Sequence, residues 1–483
     1  MILERIYEPK LAQAGYLVGC PGTGEALIVD ANRDVGAWQD LAERLGLRIV
    51  AVTETHIHAD YVSGSRELAE RTGARLYLSD EGDRDWKYAF ASQPNVTLIK
   101  DGDVITIGAV RVQVVATPGH TPEHICFLVT DTAASSHPVA LLTGDFVFVG
   151  DVGRPDLLER AANIAGVMEP SARRLFESLK WFRSLPDWVL VWPAHGAGSA
   201  CGKSLGGMPA TSVGYEKQSN WALAIEDRDE FVTRVLEGQP DPPRYFAQMK
   251  RINKEGPRSL GGFHTPPRLA PGAIFELLDQ HALIFDLRPD KAFANGHIPG
   301  TLGMQMCRSF LQYAGWFVRY DQPIYLIADD AETVRAAVRD LALIGVDDIA
   351  GWFGEDVFAE FVARRGKLAT HAHVTHEEAV QLARTSRAQI VDVRSPSEYA
   401  SAHMPDATNL PYYRIEEYME KLRKDQPVVV YCNSGGRSAI AASVLSNAGF
   451  ERVHDLNIGF EAYVASGGPV ETQPRSEREP VTT

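Results

Sequence analysis

Four apolar, β-branched runs stand out in the first half of the chain: LRIVAV (47–52), VRVQVVA (110–116), VALLTG (139–144) and WVLVWPA (188–194). Each reads as a strand. Amphipathic stretches lie between them, such as SARRLFESLKWFRSL (171–185), which reads as a helix. The second half has a different rhythm. Strand, loop and helix alternate there, the pattern of a parallel sheet, and the pattern occurs twice. IFDLRPDKAFANGHIPGT (284–301) aligns with IVDVRSPSEYASAHMPDA (390–407), so that Asp286, Arg288, His297 and Pro299 match Asp392, Arg394, His403 and Pro405. Further on, PIYLIADDAETVRAAVRDLALIG (323–345) matches PVVVYCNSGGRSAIAASVLSNAG (427–449). The Pro/Gly-rich stretch 254–272 reads as a linker, and a weaker boundary falls near 364–378. These marks predict domains over 1–253, 265–365 and 370–472. The polar end 471–483 is expected to be disordered.

Length agrees with that division, since 483 residues are too many for one ordinary domain. Hydrophobic residues make up 45%, enough for each piece to bury a core. The formal net charge of -15 argues against a nucleic-acid or anionic-membrane surface, but leaves room for a local basic pocket that takes a small anion. No apolar window reaches the roughly 18 residues of a membrane span, and the N-terminal stretch does not read as a signal peptide. The five cysteines, Cys20, Cys126, Cys201, Cys307 and Cys432, are scattered, never in a C-x-x-C pair, and odd in number. That usage fits a reducing cytoplasm. The sequence leaves the oligomeric state open, a homo-oligomer included.

The chemistry follows the strand ends. THIHADY carries His56, His58, Asp60 and Tyr61; TPGHT carries His120; TGD carries Asp145; PAHG carries His195. Strand ends are rigid positions from which short loops aim ligands at one point. In their order and spacing these motifs resemble the metallo-β-lactamase superfamily, over about the first 250 residues. The resemblance implies an αββα sandwich with a metal site. Two-metal hydrolases of that superfamily have a histidine where this chain has Tyr61, whose phenol, with a pKa of about 10, is a poor anionic ligand. Taken alone, Tyr61 reads equally well as packing.

One branch of the superfamily, the persulfide dioxygenases, uses a single iron. Similarity to it maps the ligands of one Fe(II) per chain onto His56, His120 and Asp145, a two-histidine, one-carboxylate set that leaves positions for water, substrate and O2. His58, Asp60, Tyr61 and His195 then stand around those ligands. A zinc hydrolase remains compatible with the same residue types. Cys201 follows His195 closely enough to reach the site, as a contact for substrate sulfur or as an inert small side chain. HGAGSACGKSLGG nearly makes a phosphate-binding loop, but Ala197 stands where the first glycine is required, so nucleotide binding is rejected.

Near the C-terminal end a buried-type strand runs into Cys432, followed by a glycine-rich loop to Arg437 and a helix from about Ser438. Converging N–H groups, a helix N-terminus and the Arg437 charge favour a thiolate or persulfide anion. This segment resembles a rhodanese (sulfurtransferase) domain, which implies catalytic roles for Cys432, Arg437 and Ser438. The upstream copy has Ala328 and Thr333 at the matching positions, so it reads as a rhodanese-like module without a nucleophile, and Cys307 as structural. The expected fold is therefore α/β multidomain: the αββα sandwich, then two α/β rhodanese-like domains with parallel sheets.

The combination resembles the dioxygenase–sulfurtransferase fusions of sulfide detoxification. It implies a small-molecule persulfide (glutathione, coenzyme A or another thiol as carrier), O2, and sulfite or thiosulfate as partners. Two alternatives stay open: a two-zinc thioesterase of the hydroxyacylglutathione hydrolase kind, and a non-oxidative sulfur carrier or regulatory binding protein with a structural metal, whose rhodanese modules dock partners.

Overall fold

Strand Gln13–Cys20 is buried along its whole length, which requires cover on both of its faces. The computed structural model describes residues 1–160, 166–456 and 459–473. The chain forms two compact units, one of residues 1–263 with 339–345, the other of 264–338 with 346 onward.

In the first unit, two six-stranded sheets carry the architecture. One runs in chain order from Ile2–Glu8 to Val96–Ile99, antiparallel over its first three strands and parallel from Glu25–Val29 onward. The other contains Val110–Ala116, Ile125–Asp131, Ala140–Gly144 and Leu190–Pro193. Tyr16, Val18, Leu27 and Val29 of the first sheet pack with Val112, Val114, Phe127 and Leu142 of the second in one apolar cluster. Trp38 and Leu68, on helices Val35–Arg44 and Ser65–Thr72, pack with Leu17 and Ile28 of the first sheet. Leu175, Phe176 and Leu179 of helix Met168–Ser184 pack with Leu141 and Val191 of the second. The result is an αββα sandwich. All four expected strands form, and each ends just before a candidate ligand: Thr53 before His56, Ala116 before His120, Gly144 before Asp145, Pro193 before His195.

The second unit holds two parallel sheets with the same strand order. The upstream copy runs Leu302–Gly303, Leu283–Asp286, Ile324–Ile327, Ile349–Phe353; the downstream copy runs Thr408–Asn409, Gln389–Asp392, Val428–Tyr431, Val453–Asp455, with Ala372–His373 added at its edge. Even the added strand has a counterpart, a parallel bridge from Arg268 to Trp352. The repeat extends to side chains. Arg288 forks onto Asp286 at 2.7 and 2.9 Å and donates to the Gly296 carbonyl; Arg394 forks onto Asp392 at 2.6 and 3.0 Å and donates to the Ala402 carbonyl. His297 stacks on Phe293 at 4.0 Å as His403 stacks on Tyr399 at 3.8 Å. These pairs brace the turn between the first strand and the segment that follows it.

The end of the chain corrects one expectation: Glu471 pairs with His403 in an antiparallel bridge, so order extends into the polar end, while 474–483 lie outside the described residues. Among the described residues no helix is long and apolar enough to cross a membrane.

Asp392 and Arg394 are both buried, so removing one partner strands the other charge. Asp392→Ala should destabilise the C-terminal copy by about 3–5 kcal/mol, read as a lowered denaturation midpoint.

Candidate functional site

The metal-type cluster is built on Asp30, at the end of strand Glu25–Val29. Asp30 holds a left-handed backbone, φ 56°, a conformation that a non-glycine residue adopts at a cost. Its carboxylate accepts from the Thr55 N–H at 2.8 Å, the Thr55 hydroxyl at 3.0 Å and His58 Nε2 at 3.0 Å. The alternating histidines are thereby separated. His58 is held toward Asp30, with burial opposing its charge but the Asp30 carboxylate raising it to about 9. His56 instead donates from Nδ1 to the Thr55 hydroxyl at 2.9 Å and keeps a buried Nε2 with no hydrogen-bond partner.

The same device recurs. His120 donates from Nδ1 to the Arg154 carbonyl at 3.0 Å, and His195 from Nδ1 to the Ala12 carbonyl at 3.1 Å. Fixing one ring nitrogen this way sets the direction of the other. The ligand atoms of His56, His120 and Asp145 all lie within 4.8 Å of one another. His58 is not in that group, although its Nδ1 is buried without a partner.

Asp145 turns its oxygens two ways, Oδ2 toward His120 Nε2 at 3.5 Å and Oδ1 toward His195 Nε2 at 3.3 Å. Both oxygens lack hydrogen-bond partners. Burial opposes its charge, but the imidazoles of His195, His120 and His56 hold its carboxyl well below the usual range. A second group brings Asp60, His195 and Cys201 within 4.8 Å, with Asp60 Oδ2 3.3 Å from His195 Nε2. Burial pushes the Cys201 thiol up to about 12. Unpartnered, buried nitrogen and oxygen atoms converging on one point are what a divalent transition metal requires. The residues fit such an ion.

Tyr61 belongs to neither group. Its hydroxyl donates to the Asp30 carbonyl at 3.4 Å and its ring lies 4.4 Å from that of His58. Burial raises its phenol well above its ordinary value. Three supporting residues were not singled out in the sequence. His124 accepts the Asp145 N–H at 3.1 Å and is itself anchored by Thr117 at 2.8 Å. Buried Arg154 forks onto Asp156 and donates to the carbonyls of Ala200 and Pro240, fixing the segment that carries Cys201. Gly153 is required by space: a Cβ there would sit 1.8 Å from the Asp145 carbonyl oxygen.

The second candidate centre is the loop from Cys432 to Arg437. Cys432 directly follows strand Val428–Tyr431 and is buried. The Gly435 N–H donates to its sulfur at 3.1 Å, and the thiol faces the Ser438 hydroxyl at 3.6 Å, which donates to the Gly435 carbonyl at 2.8 Å. Helix Gly436–Asn447 starts two residues earlier than expected, because Gly435 takes φ 100° and turns the chain at once. Gly459 lets a second segment close on the loop, since a Cβ there would lie 2.0 Å from the Asn433 carbonyl oxygen. Arg437 does not point its charge at sulfur alone: it forks onto Glu398 at 2.8 and 3.0 Å. Glu398 also closes a capping box with Ser395. Ala328 occupies the corresponding strand end in the upstream copy.

A family model described as the metallo-beta-lactamase superfamily matches residues 10–195, and one described as a rhodanese-like domain matches residues 375–466. The chain is 30% identical over 280 residues to the protein named persulfide dioxygenase ETHE1, mitochondrial, of Bos taurus, covering 55% of this chain and 91% of that protein. It is 35% identical over 153 residues to a hydroxyacylglutathione hydrolase of Gloeobacter violaceus, covering 32% of this chain and about half, 51%, of the hydrolase. Among solved structures, a metallo-beta-lactamase from Staphylococcus aureus subsp. aureus COL is 40% identical with a TM-score of 0.66, covering 73% of this chain and 98% of that one.

The Arg437–Glu398 pair sets an acid limit on the loop. Burial pushes the Glu398 carboxyl up, but the Arg437 guanidinium overrides it and holds the group at about 2, below its ordinary 4.5. A depressed carboxyl stabilises the fold fully above its unfolded value and loses that contribution as pH falls through the folded one. The stability difference between the parent and Glu398→Gln should therefore be constant above about pH 5 and shrink progressively below it. Denaturation midpoints across that range check the sign.

Proposed function

The chain belongs to the metallo-beta-lactamase superfamily and carries a rhodanese-like domain, and from this premise we propose that it is an iron-dependent persulfide dioxygenase joined to a sulfurtransferase. A small-molecule persulfide is converted with O2 and water to sulfite and thiol: RSSH + O2 + H2O gives RSH, sulfite and two protons. We divide the chain accordingly into an oxidising domain (1–253), a rhodanese-like domain without nucleophile (265–365) and a sulfurtransferase domain (370–472).

One observation carries the reading. The ligand atoms of His56, His120 and Asp145 lie within 4.8 Å of one another, His56 Nε2 and both Asp145 oxygens without a hydrogen-bond partner, while His58, bonded to Asp30 through Nε2, lies outside that group. We read this group as the two-histidine, one-carboxylate set of non-haem iron oxygenases. A single Fe(II) held there would supply the activation of O2 and the affinity for persulfide sulfur. The protein residues orient and hydrate. Thr55, the Arg154 carbonyl and His124 fix the directions of His56, His120 and Asp145. His195, set between Asp60 and Asp145 at 3.3 Å from each, can hold and pass the proton that hydrolysis releases. At the other centre Cys432 accepts a sulfane sulfur, with the Gly435 N–H directed at the sulfur. Passing that sulfur to sulfite makes thiosulfate. The similarity to the bovine persulfide dioxygenase over 91% of that protein supports the substrate class; glutathione, coenzyme A or another thiol fits as carrier.

A second reading, a two-metal hydrolase, draws on the two-way carboxylate of Asp145 and the group of Asp60, His195 and Cys201. Metal content separates the two. Protein purified without oxygen should hold one iron per chain, and two zinc ions per active chain would sink the dioxygenase reading. His56→Ala, His120→Ala and Asp145→Ala should each lose both iron and oxygen uptake. His195→Ala should keep the iron and slow about 10- to 100-fold; loss of metal equal to that of His56→Ala would show that the ligand set is misassigned.

Cys432→Ser should leave oxygen uptake on a small persulfide intact while sulfite accumulates in place of thiosulfate, measured against an enzyme-free control. Equal product ratios at matched oxygen uptake would show that the two centres do not act in sequence.

A further inference from the structure

The Cys432 loop is faced by the copy that has no cysteine in its own loop. Helix Phe310–Phe317 of the upstream copy carries Tyr313, whose hydroxyl lies 3.3 Å from where a Cβ on Gly436 would stand. Gly436 is inside the Cys432–Arg437 loop and opens the helix that follows it. The phenol therefore rests against the loop backbone, where even a Cβ on Gly436 would make a tight contact.

Its position is fixed independently. Tyr313 meets Tyr412 of the downstream copy edge-on at 5.6 Å, and Trp316, one turn along, stacks on Tyr413 at 4.3 Å. The Gly300 N–H donates to Asn447 at 2.8 Å, and the Asn447 amide donates to the Thr301 carbonyl at 2.9 Å. Tyr313 is half-buried, whereas Tyr412 beside it is buried. Burial raises the phenol, so it stays a neutral donor, and the Ser309 hydroxyl can donate to its oxygen, leaving its own hydrogen to point elsewhere. Beside the phenol stand the start of helix Gly436–Asn447, which suits an anion, and Arg437, whose guanidinium is shared with Glu398.

We propose that Tyr313 of the cysteine-less copy is a substrate-contacting residue of the Cys432 centre, its O–H donating to an oxygen of thiosulfate or sulfite. The proposal rests on the reading of Cys432 as the sulfur acceptor. In the transfer, the Cys432 thiolate attacks the sulfane sulfur of thiosulfate. The Cys–S bond forms as the thiosulfate S–S bond breaks, and the electron pair leaves with sulfite. In reverse, sulfite attacks the outer sulfur of the Cys432 persulfide. The phenol holds the sulfur oxyanion in line throughout and transfers no proton.

An organic persulfide delivers the same sulfur without a sulfonate oxygen, which separates the proposed contact from a merely structural one. Tyr313→Phe keeps the ring and its packing on Tyr412 and removes only the hydroxyl. In the full-length protein, without oxygen, KM for thiosulfate in the thiosulfate–cyanide assay should rise about tenfold. The rate at which glutathione persulfide loads Cys432, followed by mass spectrometry, should stay at the parent value. An unchanged KM for thiosulfate overturns the proposal. So does an equal loss with both donors, which would make Tyr313 a packing residue. Thiosulfate–cyanide turnover that survives Cys432→Ser would overturn the proposal together with the reading on which it rests.

Discussion

The buried carboxylate of Asp30 is the constraint on which the metal-type site depends. Held at a left-handed φ of 56°, it satisfies the Thr55 N–H, the Thr55 hydroxyl and His58 at once. Its carbonyl also accepts from Gln13 at 3.1 Å and from Tyr61. An alternating His-x-His segment offers two imidazoles, and Asp30 fixes how each is turned, His58 directly and His56 through Thr55. It fixes the ring of His58 through Nε2, steadies His56 through Thr55, and leaves Tyr61 packed and neutral. A left-handed non-glycine residue costs free energy, and here the hydrogen bonds made at that strained position orient both histidines of the segment.

The two centres solve related problems with different means. At the first, side chains at strand ends converge on one point, and the backbone carbonyls of Arg154 and Ala12 orient His120 and His195. At the second, a backbone N–H at a helix start faces a single sulfur, and the nearest guanidinium is shared with Glu398. Each site is rigid because its charged groups already have fixed neighbours. In the proposed sequence the first centre makes sulfite and the second consumes it, so the chemistry of one feeds the other.

Much of this was legible along the chain because it is local. The four strand-end candidates, His56, His120, Asp145 and His195, follow apolar runs that fold as strands, and the duplicated Asp-x-Arg and His positions repeat at a fixed offset. The copies then prove alike down to Phe293–His297 and Tyr399–His403. What could not be read acts across the chain. Asp30 sits in an ordinary VDAN turn, and nothing nearby hints at Thr55 and His58. His195 is oriented by Ala12, 183 residues away. The pairing of Arg437 with Glu398 spans 39 residues, and a glycine that makes room for a tyrosine of the other copy carries no signal in its own motif. Cys201 was suspected from its nearness to His195, but only the fold shows its sulfur grouped with Asp60 and His195.

The central claim is that the site oxidises a persulfide rather than hydrolysing a thioester. The direct measurement is oxygen uptake by protein loaded with Fe(II) without oxygen and then given glutathione persulfide, beside the same protein loaded with zinc. The account predicts uptake equimolar with persulfide, sulfite as the product, and none of this with zinc. No oxygen uptake from the iron-loaded protein, together with rapid hydrolysis of a glutathione thioester by the zinc-loaded one, would contradict it.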